Sequence, residues 1–376
     1  MRPLSAMRRA AHEDAATMVD RLGELVSCES PPGSIPHLRA CADLVAGWGE
    51  AVLGRPARRV VRDGLPHLLW SARDQRVLLL GHFDTVWPAG TIRQWPFAVT
   101  GETATGPGVY DMKAGIVQMF TALGLVADTS RVGVLLTCDE ESGSATSRTL
   151  IERQALRSGA VLVCEASSPT GGLKVARKGG SVYRLTVRGK AAHAGVEPQR
   201  GVNATVEIAH QILAVQALAS PSEETSVTPT VLAGGTTTNT VPEAATLAVD
   251  VRAWTRDELE RVDLGIRRMA TRLPEAVLSV GGGINRYPLT PDVALPLLTM
   301  AQAAAKDIGL PPPPGAHAPG ASDGNFTGAL GVPTLDGLGA VGGGAHARGE
   351  YVDVRAMPDR AALLAALIEQ VLATPT

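Results

Sequence analysis

Aromatic side chains make up only 3% of this 376-residue chain, so the rows of stacking rings used by single-stranded nucleic-acid binders are not available to it. Charge of either sign is not in excess. Thirty-five Lys and Arg against 37 Asp and Glu leave a net charge of -2, which removes the electrostatic ground for a nucleic-acid or membrane-surface partner. Long apolar runs are missing as well: no stretch approaches the roughly eighteen residues needed to cross a bilayer. Residues 1–20 (MRPLSAMRRAAHEDAATMVD) show no apolar core and cleavage site of a secretory signal, and a cytoplasmic location is the expectation. Cysteine is scarce. Cys28, Cys41, Cys138 and Cys164 are dispersed and form no C-x-x-C pair, which points to reduced packing residues and away from a disulfide framework or thiolate zinc site.

What is present is an ordinary globular balance, 45% hydrophobic and 19% charged, with 41 glycines to build site-bearing loops around a small-molecule partner. The length favours one large domain carrying a smaller one, or two comparable domains. Met18, Val19, Leu22, Leu25 and Val26 recur at helical spacing until Glu29-Ser30-Pro31-Pro32-Gly33 breaks the pattern. The short apolar runs 76–81, 132–137 and 161–163 alternate with helical patterns at 113–125 and 144–157. This predicts an α/β layer architecture with a mainly parallel sheet, whose chemistry belongs at the carboxyl ends of the strands. After Lys178-Gly179-Gly180 the pattern changes. Strands at 181–188, 227–232 and 246–253 and helices at 203–219 and 257–272 read as a two-layer α+β unit inserted into the first domain. Beyond it, a helix from 293, a proline spacer (311–314), a strand near 332–335 and a helix at 355–372 complete the chain.

The polar residues at those strand ends carry the chemistry. His82 and Asp84, two apart on an extended segment, share a face, and Asp84 is placed to fix the tautomer of a metal-bound His82. Asp111 lies in a glycine-rich loop at a helix start, where an N-cap is the plainer explanation. Asp139-Glu140-Glu141 follows the second apolar run, Glu165 the third, and His346 sits on the loop Gly342-Gly343-Gly344. An exposed acidic turn or surface decoration would account for each alone. Converging at one end of successive strands, two His and several carboxylates without thiolates suit Zn(II), and less distinctively Co(II) or Mn(II).

The segments 81–86 (GHFDTV), 106–113 (GPGVYDMK), 139–144 (DEESGS), Glu165, 192–195 (AHAG), 250–252 (DVR) and His346 ahead of Glu350-Tyr351-Val352 resemble, in order and spacing, the M20 metallopeptidases, and within them the glutamate carboxypeptidase type. The resemblance runs over nearly the whole chain. It implies a zinc-exopeptidase-like, three-layer catalytic domain over 1–177 and 288–376, and an inserted lid and dimerisation domain over 178–287, hence a homodimer. It also implies two Zn(II) bridged by Asp111, one completed by His82 and Glu165 and the other by Glu141 and His346. Glu140 would be the general base, and Asp84, which orients His82, is counted with it among the catalytic residues. His193, donated from the partner subunit, would stabilise the oxyanion. Arg252 and Asn239 would clamp a substrate carboxylate. The expected reaction is hydrolysis of an amide beside a free carboxylate, in a C-terminal peptide bond or an N-acyl amino acid. The alternatives are an N-acyl amino acid deacylase or deacetylase of the same fold, and a non-hydrolytic acyl-binding or acyl-transfer protein. Ala114 stands where many relatives have Gly, a change beside the helix start that leaves the Asp111 bridge in place.

Overall fold

In the computed structural model, which describes residues 4–374, the apolar runs become Val77–His82, Val132–Thr137, Ala160–Val163 and Thr334–Leu335. These four strands are mutually parallel and form most of a six-stranded sheet. Its order is Arg58–Arg62, Leu65–Trp70, Val132–Thr137, Val77–His82, Ala160–Val163, Thr334–Leu335, with the first two antiparallel. The α/β class and mainly parallel sheet are as predicted.

The strands are buried on every residue and largely apolar because both faces are covered. Val77 and Leu79, with Val132, Val134 and Leu136, enter a core shared with helices Ala15–Ser27, Ile35–Leu53, Ala114–Leu125, Pro291–Asp307 and Ala356–Ala373. Leu78 and Leu80 point the other way, into a core with Ile151 and Ala155 of helix Arg148–Ala155 and with Phe326. This is a three-layer arrangement of helices, sheet and helices.

Three details differ from the sequence expectation. Arg58–Arg62 and Leu65–Trp70 form a hairpin that turns on Asp63 and Gly64, both with positive φ, as a two-residue turn requires. The helix expected from 144 begins at Arg148, because Asp139 Oδ2 takes the Thr146 and Ser147 N–H groups at 2.7 and 3.2 Å and closes a loop there. The glycine-rich stretch Val277–Arg286 is a strand despite Gly281-Gly282-Gly283, irregular in register near Ile284.

The chain divides into two compact units, the larger comprising 1–176, 289–318 and 322–376, the smaller Arg177–Pro288 with Pro319–Ala321. The smaller unit is an antiparallel sheet in the order Ser226–Gly234, Ala244–Ala253, Gly179–Arg188, Val277–Arg286. Tyr183, Leu185 and Val187 alternate with exposed or half-buried residues and pack with Leu247, Val249 and Val251 under Ile208 of helix Ala204–Gln216 and Val262 of helix Arg256–Arg267. No helix is long and apolar enough to cross a membrane among the described residues. All four cysteines are free, three buried and Cys28 half-buried.

Candidate metal centre

Register brings the site residues of the larger unit together. His82 pairs with Thr137 and Leu80 with Val163 across adjacent parallel strands, so Asp84, Asp139-Glu140-Glu141 and Glu165 leave the sheet at one edge. Asp111 arrives on the loop Val109–Lys113, whose sharp entry needs Gly108: it has φ +72°, and a Cβ there would lie 2.3 Å from Thr85 Cγ2. His346 is held at φ +63°, a region non-glycine residues rarely occupy, in the turn after Gly342–Gly343.

His82 Nε2 lies 3.3 Å from Asp111 Oδ1 and 3.3 Å from Glu165 Oε1. His346 Nε2 lies 3.3 Å from Asp111 Oδ2 and 3.2 Å from Glu141 Oε2. Two ligand-type groups result, His82, Asp111, Glu165 and Asp111, Glu141, His346, each with its donor atoms within 4.8 Å of one another. They share Asp111, which gives one oxygen to each. Glu140 belongs to neither group.

The three consecutive carboxylates have separate surroundings. Asp139 is turned inward, taking Thr146 and Ser147; Glu140 is 8% exposed at the head of a short helical turn; Glu141 reaches His346. The acidic segment is therefore not an exposed turn. Asp84 spans the two regions. Its carbonyl is 3.0 Å from His82 Nδ1, closer than its own carboxylate oxygen at 3.4 Å, and its carboxylate accepts the Glu140 and Glu141 N–H groups at 3.4 and 3.0 Å. In the neutral ring the carbonyl thus sets the His82 tautomer, with the proton on Nδ1 and the Nε2 lone pair left for a cation.

Sequence reasoning gave Glu350 no role beyond its place beside His346. The structure buries it fully and surrounds its carboxylate with four donors: Tyr110 N at 2.8 Å, Asp111 N at 2.9 Å, Gly108 N at 3.0 Å and Trp87 Nε1 at 3.1 Å. Burial pushes its carboxyl pKa up, and the backbone donors of Asp111, Tyr110 and Gly108 oppose that. The only sequence signal was a carboxylate four residues past a histidine on a glycine-rich loop.

The electrostatics fit a pair of divalent cations. Burial works against charge on His82, yet Asp111, Asp84 and Glu165 outweigh it and hold the imidazolium pKa well above its usual value. Asp111 and Glu141 push His346 up to about 10. Burial disfavours ionised Asp111, but His346 and His82 overcome it and keep the carboxyl well below the carboxylate range, whereas burial raises Glu141. Protons on two imidazoles thus neutralise carboxylates that cations would neutralise. Glu141 Oε1 is buried without a hydrogen-bond partner, and His82 Nε2 faces only carboxylate oxygens, as suits metal-directed atoms.

The remaining expected residues lie in the smaller unit. His193 is exposed, and its Nδ1 accepts from Gly195 N at 3.2 Å and Val196 N at 3.1 Å, which leaves the proton of the neutral ring on Nε2. Asn239 is adjacent: its carbonyl accepts from Ala194 N at 2.9 Å, and His193 pairs with Thr240. Arg252, on the strand Ala244–Ala253, directs Nε and Nη2 to the Asp250 carboxylate at 2.9 Å each.

Peptidase family M20/M25/M40 matches residues 78–370. Carboxypeptidase G2 of Pseudomonas sp. (strain RS-16) is 29% identical over 375 residues, 96% of this chain and 90% of its own. A succinyl-diaminopimelate desuccinylase of Caulobacter vibrioides (strain NA1000 / CB15N) is 27% identical over 328 residues, 78% of this chain and 80% of its own. The fold is shared with the Bacillus subtilis YXEP protein, a dinuclear metal binding peptidase from the M20 family, at a TM-score of 0.64 and 14% identity, covering 96% of this chain and 99% of that one. The family match over most of the chain, on top of converging imidazoles and carboxylates, shows that this protein belongs to peptidase family M20/M25/M40 and is an enzyme, a metallopeptidase or amidohydrolase of that family.

Proposed function

We propose that the chain is a two-metal hydrolase of an amide bond adjacent to a free carboxylate. The observation that carries this reading is the sharing of Asp111, with one oxygen 3.3 Å from each of the two histidines. His82 and Glu165 would hold one cation, Glu141 and His346 the other, and the donor set suits zinc, with Co(II) or Mn(II) as substitutes. When bound, such a pair supplies a water of lowered pKa and polarises the amide carbonyl. Glu140, outside both ligand groups and next to Glu141, takes the proton of the attacking water and returns it to the leaving nitrogen. Asp84 holds the Glu140–Glu141 amides so that these two carboxylates keep different tasks.

In the smaller unit, His193 offers Nε2–H as a donor for the developing oxyanion, with Asn239 beside it. Arg252 is the candidate carboxylate clamp. Asp250 fixes two of its nitrogens and leaves Nη1 outside that pair. The Ser226–Gly234 strand is a sheet edge with Val231 and Leu232 exposed, which supports pairing through this unit in a homodimer. A deacylase acting on the other side of the recognition group is the second reading, favoured by the similarity to the desuccinylase.

The test is a mass-spectrometric screen of the zinc-loaded protein against N-acyl amino acids, folate-like conjugates and dipeptides. Cleavage that always leaves a free amino acid from its carboxylate-bearing side supports the proposal. Turnover only of substrates lacking that carboxylate contradicts it.

A further inference from the structure

Two of the four cysteines, neither of them used in the reaction, meet each other in the larger unit. Cys28 closes the end of helix Ala15–Ser27 with its N–H on the Glu24 carbonyl at 3.1 Å, and Cys41 lies on the inner face of helix Ile35–Leu53. Their thiols are hydrogen-bonded to one another. Cys41 is fully buried, whereas Cys28 is half-buried and partly open to solvent.

The two sulfurs have unlike surroundings. The bond from Cys41 lowers the Cys28 thiol to about 7, with burial opposing it and the Lys113 ammonium adding to it, while the same bond and burial push Cys41 well up. A partly exposed thiol of that acidity is a nucleophile at neutral pH, and a protonated thiol in contact with it is placed to resolve its oxidised form. Cys138 and Cys164 are fully buried, and burial raises both of their thiols.

The segment that carries Cys28 also braces the metal centre. Cys28 O and Leu25 O accept the buried Lys113 ammonium at 2.9 and 3.0 Å, two residues beyond Asp111. Ser30 O accepts Thr85 N at 3.0 Å, next to Asp84, and the Glu29 carboxylate holds Gly90 N at 2.8 Å and Ile92 N at 3.1 Å. A covalent S–S bond is shorter than any S–H···S contact, so closing it must move a sulfur. Cys41 is packed inside a helix. The movement therefore falls on Cys28, at a helix end, and reaches Lys113 through the Cys28 carbonyl.

We propose that Cys28 and Cys41 are a peroxide-responsive thiol pair whose disulfide weakens metal binding at the Asp111 centre. The Cys28 thiolate attacks one peroxide oxygen, the O–O bond breaks, and the departing hydroxide takes the thiol proton to leave as water, with Cys28 now a sulfenic acid. The Cys41 sulfur then attacks the Cys28 sulfur; the S–O bond breaks, the hydroxyl leaves with the Cys41 proton as a second water, and the disulfide forms. Two thiols lose two electrons and two protons, and hydrogen peroxide is reduced to two waters. A dithiol reductant reverses the closure by exchange. The effect on the metal rests on the two-metal reading above; the disulfide itself does not.

The experiment treats the metal-free full chain with hydrogen peroxide and removes the excess with catalase. One portion is alkylated and digested without reduction. Trypsin cleaves after Arg39, between the two cysteines, so a Cys28–Cys41 bond joins two peptides in the mass spectrum. Zinc affinity of the other portion is read by competition with a chromophoric chelator. The joined peptides should appear with Cys138 and Cys164 still reduced, zinc affinity should fall about tenfold, and dithiothreitol should restore both. A C28S variant, altered at the half-buried member, should bind zinc as the untreated parent does and keep that affinity after peroxide. Absence of the joined peptides, unchanged affinity in the linked protein, or an equal loss in C28S overturns the proposal. If the untreated parent binds no zinc, the two-metal reading fails separately; the thiol pair is then decided by the joined peptides alone, whose presence supports it and whose absence overturns it.

Discussion

At the residue scale the site depends on neighbouring carboxylates being given unlike surroundings. Asp139, Glu140 and Glu141 are consecutive, yet one closes a loop, one stands outside the ligand groups and one faces His346. Glu140→Gln should therefore lower kcat by at least about 10²-fold and leave zinc content by mass spectrometry as in the parent. Loss of metal in parallel with activity would make Glu140 a ligand. Glu350 acts through Asp111. Glu350→Gln keeps one acceptor oxygen but turns an NH₂ group towards backbone N–H donors, so metal affinity should fall about 10–100-fold, read by competition with a chromophoric chelator. The d–d spectrum of the Co(II) form should change with it, which a purely structural role in the fold would not cause. Unaltered affinity and spectrum would remove Glu350 from the site.

At the scale of elements, the helix Ala114–Leu125 determines how closely the Asp111 loop approaches the strand end that carries Glu165. A Cβ on Gly115 would lie 2.0 Å from the Cys164 carbonyl oxygen, a backbone atom that cannot swing aside. Gly115→Ala should destabilise the protein by about 1–3 kcal/mol through overpacking, measured by urea unfolding, and weaken metal binding by displacing Glu165. A neutral effect on both would show that the contact is looser than described.

The elements also explain what could be read in advance. Val77–His82, Val132–Thr137 and Ala160–Val163 announced themselves because strands buried on both faces are apolar throughout, and the site residues stood at their ends. Asp63-Gly64 is a strong turn signal, but the charged Arg58–Arg62 strand beside it lacks the apolar alternation that would mark a hairpin. Val277–Arg286 was hidden by its glycines, and the late start of helix Arg148–Ala155 by a tertiary bond from Asp139. His82, Asp111, Glu141, Glu165 and His346 were legible through motif spacing. The role of Glu350 was not, because burial and four donors from two distant segments exist only after folding.

For the whole molecule, the charge balance of the centre ties metal binding to protons. His346 is held up to about 10 by Asp111 and Glu141, and His82 is raised as well. The carboxylates favour the protonated form of both rings in the metal-free protein, and each must lose its proton before its nitrogen can bind a cation. Zinc affinity should therefore rise with pH from about 6 towards 10, with net proton release seen as a dependence of calorimetric heat on buffer ionisation enthalpy. Affinity independent of pH would contradict this. For the metal-free fold the sign is opposite: the stabilisation from the raised His346 is complete below the unfolded pKa of about 6.5 and is lost as pH climbs through about 10.

The most direct measurement is anomalous diffraction at the zinc edge from crystals of the zinc-loaded protein. Two peaks about 3.5–4 Å apart are expected, one against His82 and Glu165, the other against Glu141 and His346, with an Asp111 oxygen on each. A single peak, or peaks away from Asp111, would contradict the shared-carboxylate centre.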